Sequence, residues 1–341
     1  MSSLPNLASM VDNCAVVNNC QALRFEPVAF ARETKQSPTS LSNSFQVIIM
    51  PDWTQFSARR IKTSAGELQA RIGGEGPPLV LLHGFPQTHV MWEKVAPALA
   101  AHHQIICFDL PGYGLSDAPK DVDAASKRAM ANQIIEAMAV LGHDTFDLAG
   151  HDRGGRVAYR MALDHPGCVS KLAVLDILPT VEYWANMDAA FAMNVYHWMF
   201  LAQPEPLPET LISGAPEFFI DHTLASWTGT SDLSCFSADA LDAYHAQARD
   251  SRRVKAMCDD YRAGATVDAS HDESDKGNRT ISCPTLVLWG GAGIAASAES
   301  PLLCWQQWCD DVQGKAIDSG HFIPEENPAQ TISALNDFFN P

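Results

Sequence analysis

Phe146-Asp147-Leu148-Ala149-Gly150-His151-Asp152-Arg153-Gly154-Gly155-Arg156 is the stretch on which the reading of this chain turns. An apolar run, Phe146 to Ala149, precedes a helical pattern that continues to about His165. Strand, sharp turn and helix follow one another, and small residues crowd one reactive side chain. This is the pattern of a nucleophile elbow, usually G-x-S-x-G, but its central position here is Asp152.

That residue changes the chemistry. A serine must lose a proton to a base before it attacks, whereas an aspartate is already an anion at neutral pH. Its targets are saturated carbons bearing a leaving group, and the product is an ester on the enzyme. Taken alone, Asp152 also reads as a helix N-cap, a position that Asp favours. Partners elsewhere in the chain decide between the two.

The 341 residues suffice for one large α/β domain with an insertion. A net charge of −17 argues against nucleic acid or an anionic membrane as partner, and no apolar run approaches a membrane span. An anionic substrate therefore needs a local cluster of Arg. The nine Cys are scattered, without a C-x-x-C pair, and read as reduced packing residues of a cytoplasmic protein. No metal site and no cofactor are called for.

Residues 1–49 are rich in Ser, Asn and Ala and show no sustained periodicity. They lack a signal-peptide pattern and read as a poorly ordered extension, with Met50 as an alternative start. A hairpin is expected around Ala65-Gly66. The apolar strand Leu79 to Leu82 then ends at His83-Gly84-Phe85-Pro86, and a strand so apolar is buried on both faces of a parallel sheet. His83 reads as a packing or loop-bracing residue. Expected next are a helix from about Met91 to Ala101, a strand from Ile105 to Leu110, a helix from Ser126 to Leu141, the elbow, and a strand from Lys171 to Ile177.

Residues 179–265 break this alternation: they are helical in pattern and rich in aromatics. Strand–helix alternation resumes with strands at Thr285 to Trp289 and Ala316 to Asp318. The order predicts an α/β-hydrolase fold, a doubly wound, mostly parallel sheet with an inserted all-helical cap. The core is expected at 50–178 and 266–341, with the cap at 179–265 between its two parts. In this fold the loop after the strand ending at Leu82 supplies a backbone N–H to the oxyanion hole, which makes Phe85 the candidate donor together with Arg153.

His321, after Gly320 in the last strand–helix loop, stands where this fold keeps its base. Many relatives carry the third member, an acid, after the strand that follows the cap. Here that strand ends Leu288-Trp289-Gly290-Gly291 without a carboxylate, so Asp176, at the end of the preceding strand, is the candidate. Asp318 competes but belongs to the same short strand as His321. The set Asp152, His321 and Asp176 gives a nucleophile, a water-activating base and an orienting acid. Arg153 and Arg156, three apart at the start of one helix, share a face and can hold a carboxylate; the alternative is a solvated surface pair.

With these motifs in place, the chain resembles the fluoroacetate (haloacetate) dehalogenases. The matching strings are LLHGFPQTHVMW (81–92), DLPGYG (109–114), GHDRGGRV (150–157), KLAVLDILPT (171–180), YHWMFLAQP (196–204), LASWT (224–228), DYRAG (260–264), LWG (288–290), and SGHF with PEE (319–326). The resemblance implies Asp152, Asp176 and His321 as the triad and Arg153 and Arg156 as the grip on the substrate carboxylate. It implies His197, Trp198 and Tyr261 as donors to the departing halide, and Trp227 as a pocket wall. Without it, His197-Trp198 reads as core packing. The implied reaction converts fluoroacetate to glycolate plus fluoride in a homodimer, with a small haloacid as the only partner molecule. Leu115 after Gly114 and a shortened loop from Pro119 to Lys127 depart from the pattern. Epoxide hydrolases and haloalkane dehalogenases share the Asp elbow and helical cap, and a ligand receptor that has lost turnover is the rival of another class.

Overall fold

The computed structural model describes residues 52–295 and 300–340. The expectations for the extension at 1–49 fall outside them. The strands are β1 (Ser57–Thr63), β2 (Gly66–Gly73), β3 (Pro78–Leu82), β4 (Gln104–Phe108), β5 (Phe146–His151), β6 (Val169–Leu175), β7 (Thr285–Gly290) and β8 (Val312–Ile317). They form one sheet in the order β1-β2-β4-β3-β5-β6-β7-β8. The first two pairings are antiparallel and all those from β4 to β8 are parallel.

A period of two explains the core. In β3, Val80 and Leu82 point to one face of the sheet, while Leu79 and Leu81 point to the other, and all four are buried. Helices cover both faces. Those of the first half are α1 (Ala96–Leu99), α2 (Lys127–Val140) and α3 (Asp152–Asp164). The hairpin turns at Gly66, whose φ of 135° is open to glycine.

The expected helix from Met91 to Ala101 is instead a 3-10 turn, His89–Trp92, followed by the single turn α1. Pro97 has no N–H to donate and its ring would clash with a preceding helical carbonyl, so α1 can begin only one residue before it.

Between β6 and β7 lie only helices: α4 (Thr180–Ala185), α5 (Ala189–Asn194), α6 (Tyr196–Leu201), α7 (Leu207–Gly214), α8 (Pro216–Trp227), α9 (Ala238–Ala248), α10 (Ser251–Ala265) and α11 (Val267–Asp275). The helical segment thus runs past Ala265. α11 returns to the sheet layer by charge: Asp272 accepts from Tyr159 Oη (2.7 Å) and Arg160 Nη2 (2.5 Å), both on α3. The chain closes with α12 (Pro301–Trp305), α13 (Ile323–Glu326) and α14 (Pro328–Phe339). Among the described residues no helix is long and apolar enough to cross a membrane.

Candidate active site

Asp152 sits where β5 ends and α3 begins, with φ of 44°, a left-handed conformation that costs a non-glycine residue on the order of 1–3 kcal/mol. The glycines around it make this turn possible. A Cβ on Gly150 would stand 2.4 Å from the Gly154 carbonyl oxygen, and one on Gly154 would stand 2.4 Å from the His83 carbonyl oxygen. The strand end and helix start are therefore pressed together, and the Asp152 carboxylate is carried out over the C-terminal edge of the sheet. The Phe85 N–H donates to its Oδ2 at 2.9 Å. Arg153, in the first turn of α3, has an N–H with no intrahelical acceptor. Burial opposes the Asp152 charge, but the nearby His321, His151, Arg156 and Arg153 hold its pKa below the ordinary carboxylate value.

Asp176, at the end of β6, also has a positive φ, 51°. Its Oδ1 accepts from Gly290 N and its Oδ2 from Ile294 N, each at 3.0 Å. Oδ2 also faces His321 Nδ1 at 2.6 Å. The missing carboxylate after β7 is thus replaced by backbone N–H groups of that same loop, which fasten a carboxylate from the neighbouring strand. Burial acts to discharge His321, yet its bond to Asp176 and the charges of Asp176 and Asp152 leave its pKa raised. With Nδ1 donating to Asp176, the neutral ring carries its lone pair on Nε2. Asp318 is exposed and its backbone, not its carboxylate, meets Gln330 and Asn327.

Two further groups brace the His321 loop. Its N–H donates to the Trp227 carbonyl at 2.9 Å, so α8 of the cap holds the loop directly. Glu326 accepts from Gly320 N, Phe322 N and Gly229 N at 2.8–2.9 Å, tying that loop to the cap a second time. His83 and Asp109 also brace loops. Leu110 N donates to His83 Nε2 and His83 Nδ1 faces the Gly84 carbonyl, while Asp109 accepts from His89 N and Leu115 N. Burial pushes His83 down to about 4, so this brace is neutral.

A small cavity of ≈ 10 Å³ is lined by Asp152, Arg156, Asp176, Tyr183, His197, Trp198, Trp227, Ile294 and His321. That is about the space one water requires. A wider cavity of ≈ 230 Å³ shares Trp227 and Ile294 as walls with the small one.

Of the two arginines, Arg156 lines the small cavity and Arg153 does not. Arg156 donates through Nη1 to the Leu178 carbonyl and Thr180 Oγ1, and its guanidinium lies over the rings of Tyr183 and Trp198. Its Nε is buried with no hydrogen-bond partner among the described residues. Arg153 is committed to Asp260 through Nε and Nη2 (2.9 and 2.7 Å), with its face 4.1 Å from the Tyr261 ring centroid. Its Nη1 makes no hydrogen bond among the described residues. Both side chains are buried, so they are not the solvated pair that their spacing also allows.

His197, Trp198 and Tyr261 cluster at 5.5 and 6.3 Å between ring centroids, and all three are buried. None of their side-chain N–H or O–H groups makes a hydrogen bond among the described residues, and His197 Nδ1 is fully enclosed. Burial drives His197 well below its ordinary pKa, so it is neutral. Trp227 stands edge-on to His321 at 5.7 Å and 4.2 Å from His197.

A family model described as alpha/beta hydrolase fold matches residues 77–328. The chain belongs to the α/β-hydrolase family. A relative of this hydrolase is the fluoroacetate dehalogenase of Burkholderia sp, 40% identical over 288 residues that cover 84% of this chain and 94% of that protein. Another is the soluble epoxide hydrolase of Corynebacterium sp. (strain C12), 30% identical over 270 residues, with coverage of 79% and 92%. Among solved structures, an α/β hydrolase from Nostoc sp PCC 7120 superposes with a TM-score of 0.82 at 44% identity, over 84% of this chain and 99% of that one.

Sequence reasoning missed Asp260, which holds Arg153, Lys127 and Tyr113 at once. A signal existed: an acid directly before Tyr261, in a helix turn whose neighbours are largely apolar. Glu325, Gln87 and His151 were equally silent, because their partners lie far away in the chain.

Proposed function

We propose that this hydrolase cleaves the carbon–halogen bond of short 2-haloacids, converting fluoroacetate to glycolate plus fluoride. The observation that carries the reading is the small cavity in which an anionic Asp152 faces Arg156, whose Nε has no partner among the described residues, together with the uncommitted side chains of His197 and Trp198. An acid such as fluoroacetate brings the carboxylate that Arg156 lacks. A neutral substrate would leave Arg156 Nε buried and unmatched, which costs about 1–3 kcal/mol.

Asp152 Oδ1 attacks the α-carbon from the side opposite the halogen, while Oδ2 stays on the Phe85 N–H. The carbon–halogen bond breaks and the halide leaves with the electron pair toward His197, Trp198 and Tyr261. Fluoride is a small, hard anion and needs such donors once water is excluded. His321 Nε2 then takes a proton from water as its oxygen adds to the Asp152 carboxyl carbon. The oxyanion forms on Oδ2, in the hole made by the N–H groups of Phe85 and Arg153. The bond from that carbon to the ester oxygen breaks, and the departing alkoxide takes the proton from His321. The product is the 2-hydroxyacid. Asp176 steadies the imidazolium, and Trp227 walls the pocket.

The test is halide release from fluoroacetate and chloroacetate by wild type and Asp152→Ala, followed by one turnover in oxygen-18 water. The first product should carry unlabelled hydroxyl oxygen, with the label in Asp152. Label in the first product, or undiminished release by the variant, overturns the mechanism.

Epoxide opening is the second reading, favoured by the Corynebacterium relative and by two tyrosines, Tyr183 and Tyr261, near Asp152. Turnover of neutral epoxides but of no haloacid would establish it instead.

A further inference from the structure

Behind the triad runs a buried chain of side chains that the mechanism does not use. Glu325, on α13, accepts from Tyr244 Oη (2.8 Å) and meets the Nε2 end of the Gln87 amide. The Oε1 end of the same amide faces His151 Nδ1 at 3.1 Å. His151 Nε2 faces the backbone carbonyl of His321 at 2.8 Å. Glu325, Gln87, His151 and His321 are all buried.

Counting donors and acceptors fixes the protons in this chain. The His321 carbonyl only accepts, so His151 must carry its proton on Nε2. Burial pushes His151 down to about 3, so it is neutral and its Nδ1 has only a lone pair. Gln87 must then turn its NH₂ toward His151 and its oxygen toward Glu325. Two facing oxygens repel unless one carries a proton, and Gln87 has none to give there. The orientation the structure shows, with Nε2 on Glu325 and Oε1 on His151, would need an imidazolium at His151, enclosed beside a backbone carbonyl; the two ends of an amide have nearly the same shape, so the hydrogen-bond count assigns them. Only one arrangement satisfies every group: a protonated Glu325 donates to Gln87 Oε1, Gln87 Nε2 donates to His151 Nδ1, and His151 Nε2 donates to the His321 carbonyl.

We propose that Glu325 is a neutral acid and a positioning residue, whose O–H fixes Gln87 and His151 and through them the backbone of His321. This rests on reading His321 as the base. Burial raises the Glu325 carboxyl to about 8, the direction the donor count requires. The groups around it fit. Tyr244 on α9 donates to the second carboxyl oxygen. Lys94 gives its Nζ to the carbonyls of Glu325 and Cys235, not to the carboxylate. The Glu93 charge opposes ionisation of Glu325, and the Cys235 thiol is itself pushed up to about 12. Glu326 spends its carboxylate on backbone N–H groups. Above the Glu325 pKa the carboxylate would demand the amide NH₂, Gln87 would turn over, and His151 would release the His321 carbonyl.

Two measurements on the full chain test this. The infrared difference between wild type and Glu325→Gln at pH 7 should contain the carbonyl stretch of a protonated carboxylic acid, lost as the pH is raised through about 8. The pH profile of halide release should have an alkaline fall in wild type that is absent in Glu325→Gln, whose amide reproduces the neutral acid. Glu325→Ala should lose about ten-fold or more in kcat at pH 7, as misplaced catalytic groups do. No carboxylic acid band at pH 7, or a Glu325→Gln that is as impaired as Glu325→Ala, overturns the proposal. If wild type releases no halide from any haloacid, the proposed function fails, while the infrared band still decides the state of Glu325.

Discussion

Asp260→Asn probes how the cap and the core are held together at Arg153. Asp260 is fully buried and receives Arg153 through two carboxylate bonds, Lys127 Nζ and Tyr113 Oη. Lys127 is also 3.4 Å from Asp268, so two cations and two carboxylates balance inside the protein. Burial raises the Asp260 pKa, but Arg153 and Lys127 outweigh it and leave it far depressed. Asparagine keeps the shape and removes the charge, stranding one cation. Breaking a buried pair in this way costs about 3–5 kcal/mol. At roughly 2 °C per kcal/mol for a chain of this size, Tm should fall by ~6–10 °C. Adding Lys127→Met should restore part of the loss, because one of the two cations left facing a neutral residue 260 is removed. The assay is urea unfolding followed by circular dichroism on the two single variants and the double. The sign with pH follows from the depressed pKa: the stabilisation is fully present above the ordinary carboxylate range and is lost as pH falls through the folded value. An Asp260→Asn variant within about 1 kcal/mol of wild type, below the range for a broken buried pair, would refute the reasoning.

Three further outcomes are expected. His321→Gln should still form the ester, so it should release one halide per chain in a burst and then stop, with the added mass found on the Asp152 peptide by mass spectrometry. The raised pKa of His321 places the acid limb of kcat above the ordinary histidine value, since the base must be neutral; Asp176→Asn, by removing the main cause, should move that limb to lower pH and reduce kcat. Gly290→Ala would put a Cβ 1.9 Å from the Gly320 carbonyl oxygen, so it should displace the His321 loop, lowering both Tm and halide release, whereas Gly142→Ala, facing open space but at φ of 89°, should cost stability alone.

The sequence by itself carried the order of strands and helices, the strand–turn–helix at Asp152 and the place of the helical segment, and it singled out Asp152, Asp176 and His321, which the fold brings together. These depend on local patterns: apolar runs for buried parallel strands and glycines where the backbone closes on itself; the helix expected from Met91 to Ala101 did not form because Pro97 interrupts it. The choice of Asp176 also came from reading strand ends in order. Only the tertiary structure decided how each charge is used. Arg153 and Arg156 look alike three residues apart, yet Asp260, distant in the chain, captures one guanidinium edge and leaves the other arginine's Nε unmatched. The same holds for Glu325, whose carboxyl is raised by the burial that folding imposes and whose partners, Gln87 and Tyr244, come from other parts of the chain. Local pattern follows from the chain's own periodicity, whereas the energy of a buried charge depends on what folding brings within hydrogen-bond distance, and that is not written in neighbouring residues.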